Sequence, residues 1–535
     1  MSKLPICSAG PTHERDAHGF LGGCGTAPST LDVRPHPVAR QPTRLTVDLH
    51  VTFEGRGDLG GQIYRQIKAA VLDGRLLPGQ PLPPSRELAR RLAVSRNTVT
   101  GAYDRLAADG LAESRVGAGI FVRAAISAPG YPPIPRGRES AVLPLPLWAD
   151  LIVPGPSFFA EAPQYDLRPG IPDVRLFPFE AWRRLTSQVL RASSMGTGMP
   201  IDPAGLLALR AAIARHIGVS RAVHATAENI IITQGIQQAL DLVGRVLLRP
   251  GDCVAIEDPC YPLVRELFRS MGVEVVGVEV DPEGLRVDAL PDHARIVYVT
   301  PSHQFPLGMP MSMPRRHALL DWARGRDAIV IEDDYDTEFR YGGRPLQPLH
   351  SLDSAGRVIY VGTFSKIMLP VLRMGFVVAP AALWAALRAA KYVADWHSPE
   401  PTQAALVGFI EEGLLAKHIR RMRREYQARH DRIVDLLATD FADTLTVIPS
   451  AVGLHVAAWT RPGIDARALA ARARARGLGL FPLSQFRMSE GADGLIVGYG
   501  AIPLTDIDEA LDLLRSSIEN NRLTTATHPV RRAGP

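Results

Sequence analysis

The stretch RVIYVGTFSKIMLPVLRMGF, residues 357–376, is the part of the chain that most strongly indicates its fold. Its first five residues, 357–361, form a strand-like run, and the small residues that follow predict a loop at the strand's carboxyl end. In open α/β sheets, ligands bind at that edge. Lys366 would therefore project where a Schiff base to an aldehyde cofactor can form, with Arg373 near enough to hold a phosphate. The alternative is a solvated lysine on a surface loop.

A second run of polar residues follows the predicted strand Ala328–Ile331. Glu332, Asp333, Asp334 and Asp336 place four carboxylates within five positions. Buried carboxylates need partners, and one possible partner is a divalent cation. The other is the protonated ring nitrogen of a cofactor, with the tyrosine at position 335 donating to a phenolate oxygen of the same ring. Because one strand ends in carboxylates and a later one ends in a lysine, the combination favours pyridoxal phosphate.

Short apolar runs alternate with helical patterns from Tyr165 to about residue 520. This alternation predicts an α/β sheet covered on both faces, followed by a smaller α+β lobe from about Leu445. The expected strands are Ile230–Ile232, Val254–Ile256, Val273–Val278, Ile296–Val299 and Ala328–Ile331.

Two further strand ends carry polar or aromatic residues. Thr233–Gln238 contains a glycine turn that begins a helix, whose backbone N–H groups could bind a phosphate. After the next strand, Tyr261 could stack on an aromatic ring, although buried aromatic residues are more often core. Either segment alone is weak evidence.

The N-terminal part of the chain has a different character. From Ile63 apolar residues recur at helical spacing up to Gly74, Ser85 is expected to cap a short second helix, and a third helix is expected from Arg96 to Gly110. A glycine-rich hairpin follows. This order is typical of a winged helix-turn-helix. Between residues 60 and 123, ten basic residues face five acidic ones, which accounts for the whole net charge of +5 and points to nucleic acid for this module alone.

The remaining segments complete the expected domain organisation. Four cysteines without a CxxC pair argue against a zinc site and a disulfide framework. Without a secretory signal or an apolar run of roughly 18 residues, we expect a cytoplasmic protein that does not enter membranes. The predicted organisation is a disordered extension at 1–45, a DNA-binding domain at 46–123, a Pro-rich linker at 124–164, a cofactor-binding domain at 165–520 and a disordered tail at 521–535.

Four ordered motifs, LPPSRELA, VSRNTV, AYDRL and GAGIFV, resemble the winged helix-turn-helix of the GntR family. The resemblance implies that Arg96 reads a base edge, that Arg86 positions the domain on phosphate, and that the wing lies in or beside the minor groove. A solvated helix face is the alternative for any one of these arginines. The residues that the resemblance places at DNA are Arg86, Arg96, Asn97, Thr98, Thr100, Gly117 and Gly119.

Four longer motifs, YDLRPGIPDVRLFP, VTPSHQFPLGMPMS, IEDDYDTEFRYGGRPL and VIYVGTFSKIMLPVLRMGF, resemble fold type I aminotransferases. Together with the GntR-type module they resemble the MocR/GabR family of bacterial regulators. The resemblance implies that Lys366 forms the internal aldimine with pyridoxal 5'-phosphate and that Asp333 pairs with the ring nitrogen, with Asp334 as the fallback. The other implied cofactor contacts are Tyr335 at the ring oxygen, Tyr261 on the ring face, and Gly235, Ile236, Gln237, Thr363, Ser365 and Arg373 at the phosphate.

Two positions depart from the aminotransferase pattern. Ile496 stands where an arginine usually clamps the substrate carboxylate, and Thr197 lies where a tyrosine is common, although Arg344 or His303 could substitute. These departures favour a regulator over an enzyme. The family implies a pyridoxal-phosphate-dependent transcription regulator that binds a double-stranded DNA operator as a head-to-tail homodimer and responds to the cofactor or an amine effector.

Two alternatives remain open beside this interpretation. One is an active aminotransferase with a fused DNA-binding domain. The other is a repressor that has lost its cofactor, which is disfavoured because Lys366, Asp333 and Arg373 are all present.

Overall fold

The computed structural model describes residues 51–53, 55, 57–115, 117–123, 144–151, 153, 162–191, 201–343 and 346–526. The chain divides into two compact units, residues 1–143 and 144–535. Several expectations lie outside the described residues. They are the extension at 1–45, the first residues of the DNA-binding domain, most of the linker, and the roles of Thr197 and Arg344.

The first unit is a three-helix module with a hairpin. Its elements are α1 (Leu59–Leu72), α2 (Ser85–Arg91), α3 (Arg96–Ala108), β1 (Ala112–Arg115) and β2 (Gly119–Val122). The two strands pair antiparallel, from Ala112 opposite Val122 to Arg115 opposite Gly119. The helix-turn-helix and its wing thus form as the sequence predicts.

One expected helix cap in this unit is wrong. Ser85 is the first residue of α2 rather than its cap, because Pro84 occupies the cap position and offers no side-chain hydrogen bond. The third helix does begin with a side-chain cap, since the Ser95 hydroxyl accepts a hydrogen bond from the Thr98 N–H at 3.1 Å.

The core of the first unit comes from one face of each helix. Fully buried side chains recur at i, i+3, i+4 and i+7, the spacing that keeps residues on one helical face. They include Ile63, Ile67, Leu88, Val99, Tyr103 and Leu106.

The second unit alternates helices and strands. Its helices are α4 (Pro146–Asp150), α5 (Phe179–Val189), α6 (Leu207–Arg221), α7 (Ile236–Leu247), α8 (Pro262–Ser270), α9 (Met313–Gly325), α10 (Leu349–Leu352), α11 (Ala381–Asp395), α12 (Glu400–Glu411), α13 (Leu414–Thr439), α14 (Ala466–Ala475) and α15 (Ile507–Ala526). Its strands are β3 (Tyr165–Asp166), β4 (Ile230–Thr233), β5 (Cys253–Asp258), β6 (Glu274–Asp281), β7 (Gly284–Leu285), β8 (Ala294–Val299), β9 (Ile329–Asp334), β10 (Val358–Thr363), β11 (Gly375–Val378), β12 (Leu445–Val447), β13 (His455–Thr460), β14 (Leu478–Gly479), β15 (Phe481–Pro482) and β16 (Gly494–Gly498).

Eight strands form the central sheet, in the order β4-β11-β10-β9-β8-β5-β6-β7. It is parallel except at β11 and β7, which pair antiparallel with their neighbours. Alternate residues of its strands enter different apolar clusters: Ile331 packs in one cluster and Val330 in another. The sheet is therefore covered on both faces, as the apolar runs predict.

A smaller lobe completes the second unit. Its four strands follow the antiparallel order β12-β13-β16-β15, and β14 pairs in parallel with β3, where the Tyr165 N–H donates to the Gly477 carbonyl at 3.0 Å. Helix α15 runs to Ala526, so the first six residues of the segment 521–535 are helical rather than disordered. Within the described residues, no helix is both long and apolar enough to cross a membrane.

Candidate functional site

Strand pairing brings the polar strand ends of the second unit together. β9 and β10 are parallel neighbours with Val361 opposite Asp333, so the loop after β10 starts beside the carboxylates that end β9. In that loop the Lys366 amine donates a hydrogen bond to the Gly170 carbonyl at 2.7 Å. Gly170 has φ +73°, and a Cβ on it would lie 2.6 Å from the Lys366 Nζ. This close approach therefore requires glycine.

Opposing influences act on the Lys366 amine. Burial lowers its pKa, and the positive charge of Arg373 acts in the same direction. The carboxylates of Asp336 and Asp333 raise it. Because burial is the largest of these influences, the pKa falls below that of an ordinary lysine, which favours the neutral amine that can attack an aldehyde.

Asp333 is hydrogen-bonded on one side only. The Tyr298 hydroxyl donates to its Oδ2 at 2.6 Å, while Oδ1 is buried and has no partner among the described residues. Burial raises the pKa of Asp333 to about 7. An unsatisfied, buried carboxylate oxygen fits a protonated ring nitrogen, so the residues present suit pyridoxal phosphate.

The neighbouring carboxylates have other partners. Asp334 accepts hydrogen bonds from Arg221, from Thr337 and, at 2.6 Å, from the Tyr360 hydroxyl. Glu332 accepts the backbone N–H groups of residues 349 and 350 at 2.9 and 2.8 Å. Glu332, Asp333 and Asp334 are successive residues of β9 whose side chains alternate between the two faces of the sheet, so these three carboxylates do not converge on one point. Asp334, the fallback for the ring nitrogen, is already fully engaged.

A compact corner forms around the start of α7. Gly235 precedes the helix with φ +79°, and a Cβ on it would lie 2.8 Å from the Arg373 Nη2. The same Nη2 donates to the Gln234 carbonyl at 2.9 Å. Ile236 and Gln237 occupy the first turn of α7, where backbone N–H groups have no intrahelical acceptor. Such a helix start beside an arginine suits a phosphate.

Thr363 and Ser365 line the neighbouring strand end. The Thr363 hydroxyl donates to Ser365 Oγ at 3.0 Å and accepts the Ser365 N–H at 3.1 Å. Thr363 pairs with Gly375, which in turn pairs with Thr233 beside the Gly235 turn. The predicted phosphate residues thus lie at or next to the ends of three adjacent strands, β4, β11 and β10, on the same side of the sheet.

Two aromatic residues approach the site from different elements. Tyr261, at the start of α8, lies 6.1 Å edge-on from Phe305, and the side chain of Gln237 is beside its hydroxyl. Tyr335 is buried, stacks on His303 at 5.5 Å and lies 5.9 Å from the same Phe305. Both predicted tyrosines therefore pack against the same residue, Phe305.

The position matching the carboxylate clamp is apolar. Ile496 is fully buried in β16 and belongs to an apolar cluster with Leu307, Ala457 and Leu483. His303, a possible substitute, is instead engaged with Asp336.

Residues that the sequence did not single out also hold the site. Tyr298 lies within an apolar strand and Gly170 far from Lys366 in sequence, so no local pattern indicates their roles. The sequence signal for Gly170 is its place in the motif YDLRPGIPDVRLFP.

In the first unit, the predicted DNA contacts fall into two groups. Arg86, Arg96 and Asn97 are exposed, and the wing glycines 117 and 119 have φ +76° and +114° with open space around them. Thr98 and Thr100 are only partly exposed. The Thr98 hydroxyl bonds the Ser95 side chain at 2.8 Å, and the Thr100 hydroxyl donates to the Arg96 carbonyl at 3.0 Å.

Comparison with known proteins agrees with both units. Residues 59–122 match the model of the bacterial regulatory proteins of the gntR family, and residues 166–496 match aminotransferase class I and II. The fold and site thus define a winged helix-turn-helix fused to an aminotransferase-like domain.

Curated relatives are similar to this chain over most of its length. The chain is 36% identical to the probable rhizopine catabolism regulatory protein MocR of Rhizobium meliloti, over 85% of this chain and 93% of that protein. It is 33% identical to the HTH-type pyridoxine biosynthesis transcriptional regulator PdxR of Corynebacterium glutamicum, over 82% and 91%. The chain belongs to the MocR/GabR-type family. Among solved structures, Pyrococcus horikoshii kynurenine aminotransferase aligns with TM-score 0.65 and 27% identity, over 71% of this chain and 97% of that one.

Proposed function

We propose that the protein is a transcription regulator that binds operator DNA through its winged helix-turn-helix and responds to pyridoxal phosphate, alone or with an amine, in its aminotransferase-like unit. The observation that carries this proposal is that Lys366 and the unsatisfied Asp333 Oδ1 lie at the ends of neighbouring strands, in a chain with a DNA-binding module. Because operator DNA lies in the bacterial cytoplasm, we expect the protein to act there.

Each proposed cofactor contact follows from the chemistry of one side chain. When bound, pyridoxal phosphate supplies an aldehyde and an electron-accepting ring. Lys366 holds the aldehyde carbon, the Asp333 Oδ1 holds the ring N–H, Tyr335 donates to the ring oxygen, and Tyr261 covers the ring face. The phosphate is held by the N–H groups of Gly235, Ile236 and Gln237 and by Thr363, Ser365 and Arg373.

The cofactor claim is tested by the absorbance of the purified protein. We expect a visible band of bound cofactor that Lys366→Ala abolishes and that Lys417→Ala, a change at an exposed lysine of the same unit, preserves. A protein without the band, or a band unchanged in Lys366→Ala, contradicts cofactor binding at this lysine.

Binding to operator DNA is tested at the recognition helix. Arg96 is exposed at the start of α3, where its guanidinium can grip a guanine through two hydrogen bonds. We expect Arg96→Ala to weaken specific binding by about 10- to 100-fold while leaving the cofactor band intact. Arg90→Ala, on the exposed side of α2, is the control. Equal losses of operator affinity in the two variants would mean that Arg96 contributes only non-specific electrostatic attraction to DNA.

The regulatory signal is proposed to be the cofactor or a non-carboxylate amine. A carboxylate effector needs a cation at the clamp position, but Ile496 is apolar and fully buried. Titrating operator binding with pyridoxal phosphate, a simple amine and an amino acid separates these signals, and a response only to the amino acid argues against this choice.

A working aminotransferase is the second candidate, favoured by the complete set of cofactor contacts and by the similarity to the kynurenine aminotransferase. Incubation with a panel of amino acids distinguishes it from the regulator. Fast and complete conversion of the bound cofactor to its amine form would favour the enzyme.

We also propose a head-to-tail homodimer, as the family resemblance implies. Sedimentation analysis of the full chain tests the stoichiometry, and a monomer under conditions of operator binding would exclude it.

A further inference from the structure

A buried pair of residues, His303 and Asp336, lies behind Tyr335. Their side chains are 0% and 1% exposed. The His303 Nδ1 has two neighbours, the Asp336 Oδ1 at 2.8 Å and the Tyr335 hydroxyl at 3.0 Å. Neither His303 nor Asp336 is among the residues proposed to contact the cofactor, so the pair has no role yet.

A single ring nitrogen cannot serve both neighbours in the same way. If Nδ1 carries a hydrogen, it donates to the carboxylate of Asp336, and the Tyr335 hydroxyl cannot donate to it. If Nδ1 is bare, it accepts from Tyr335, and the carboxylate loses its donor. The position of one proton on His303 therefore decides where the Tyr335 hydroxyl can donate.

The surroundings favour the first arrangement. Asp336 has no other donor among the described residues, since its Oδ2 is unpartnered, and a buried carboxylate without a hydrogen bond is costly. A hydrogen on the His303 Nδ1 gives Asp336 Oδ1 the hydrogen bond that it otherwise lacks. Its position on Nδ1 leaves the Tyr335 hydroxyl free to donate in another direction.

The ring is held in this orientation. A Cβ on Gly453 would lie 2.1 Å from the His303 Cε1 and 2.5 Å from the Asp336 Oδ2, so the backbone at position 453 lies directly against the pair. On the other side, the ring of His455 lies 4.9 Å away and is fixed by a hydrogen bond from its Nε2 to the Pro306 carbonyl at 3.0 Å. There is little room for His303 to turn and present its other nitrogen.

We propose that His303 and Asp336 are positioning residues that direct the Tyr335 hydroxyl proton toward the ring oxygen of the cofactor. The inference rests on the proposed cofactor site. His303 does not touch the cofactor in this scheme. Its Nδ1–H donates to Asp336, so Nδ1 cannot accept a hydrogen bond from Tyr335. The Tyr335 hydroxyl therefore donates to the cofactor.

Two substitutions at His303 separate the hydrogen bond from the packing. His303→Asn keeps an N–H donor near the position of Nδ1 but removes the ring. His303→Phe keeps a ring to stack on Tyr335 but removes the donor. Pyridoxal phosphate is titrated into each cofactor-free protein, and the dissociation constant and the wavelength of the bound band are measured from the visible absorbance.

We expect His303→Phe to weaken binding about 10- to 100-fold and to shift the band, because Asp336, left without its only donor among the described residues, then accepts the Tyr335 hydroxyl and the hydrogen bond from Tyr335 to the cofactor oxygen is lost. His303→Asn should stay within about threefold of the native protein. Each change is then repeated with Tyr335→Phe. If His303 acts through the Tyr335 hydroxyl, His303→Phe costs less than about threefold in that background.

Additive losses in this cycle, or native affinity in His303→Phe, overturn the proposal, as does equal weakening by Phe and Asn. Should His303→Phe fail to fold by circular dichroism, the pair Asp336→Leu and Asp336→Asn answers the same question. Both variants remove the negative charge beside Lys366, but only Asp336→Leu also removes the oxygen that accepts the His303 Nδ1–H. Asp336→Leu should therefore bind pyridoxal phosphate more weakly than Asp336→Asn does. A native protein that binds no pyridoxal phosphate at all refutes the proposed function instead.

Discussion

At the scale of single residues, the site depends on which way each carboxylate of β9 points. Asp333 keeps one oxygen unsatisfied, whereas Asp334 one position later is held by Arg221 and Tyr360. A buried carboxylate with one free oxygen is unfavourable in the cofactor-free protein and becomes favourable only when a cationic partner arrives. The buried Asp333 carboxylate therefore lowers the stability of the cofactor-free protein.

This cost is measurable with Asp333→Asn. Burial raises the pKa of Asp333 to about 7 in the folded chain, above its value in the unfolded chain. Folding of the ionised form is thus penalised, and the penalty grows as pH rises from about 4 and is complete above about pH 7, on the order of 4 kcal/mol at most. We expect Asp333→Asn to raise the melting temperature of the cofactor-free protein at pH 8 by roughly 2 °C or more, and by less at pH 5.

The same variant should bind pyridoxal phosphate about 10- to 100-fold more weakly, because a neutral amide replaces the charged acceptor. Asp321→Asn, at an exposed position of α9, is the control for both measurements. An equal change of melting temperature at pH 5 and pH 8 would show that the Asp333 carboxylate is not held in its protonated form by burial.

Local patterns were enough to place Asp333 and Lys366 at strand ends, because apolar runs such as Val358–Val361 mark buried strands directly. Local patterns could not predict which residues form hydrogen bonds with the carboxylates of β9. Tyr298 belongs to an apolar strand, and its hydroxyl finds Asp333 across 35 positions of sequence. The charge that engages Asp334 comes from Arg221, 113 positions away. Such contacts depend on strand order and register, which no single segment specifies.

At the scale of elements, the start of α7 combines a helix N-terminus with an arginine. Gly235 turns the chain from β4 into α7, and Arg373 approaches it from the loop before β11. The approach is possible because the turn carries no side chain.

We expect Gly235→Ala to weaken pyridoxal phosphate binding by about tenfold or more, since its Cβ would lie 2.8 Å from the Arg373 Nη2 and displace the guanidinium. Gly251→Ala is the matched control. It also has positive φ, +92°, where an alanine is strained, but its Cβ would meet no atom within 4 Å. Equal affinities of the two variants for the cofactor would mean that Arg373 does not hold the phosphate.

Element boundaries were less predictable than element types. The sequence predicted the short second helix correctly, over SRELARRLA at 85–93, but gave Ser85 the cap, because a serine before apolar periodicity is the usual signal. Pro84 takes that position, since its fixed φ suits the entry into a helix. At the other end of the chain, α15 extends to Ala526 beyond the expected limit at residue 520.

At the scale of the whole molecule, the cofactor and the operator must influence each other equally. If pyridoxal phosphate changes operator affinity by some factor, operator DNA changes cofactor affinity by the same factor. We expect a factor of about 5 to 150, measured by fluorescence anisotropy of labelled operator and by cofactor absorbance. Lys366→Ala should abolish the response of operator affinity to the cofactor, whereas a factor of one in the native protein would leave the aminotransferase-like unit without a sensing role.

One further consequence concerns the short segment from Tyr165 to Gly170. Its first two residues, Tyr165–Asp166, form β3 and pair in parallel with β14 of the smaller lobe. The carbonyl of its last residue, Gly170, accepts a hydrogen bond from the Lys366 amine. The predicted Pro-rich linker, residues 124–164, directly precedes this segment in the sequence. Because the Lys366 amine cannot keep its hydrogen bond to Gly170 unchanged once it is bonded to the proposed cofactor, we expect cofactor binding to alter the conformation of this six-residue segment.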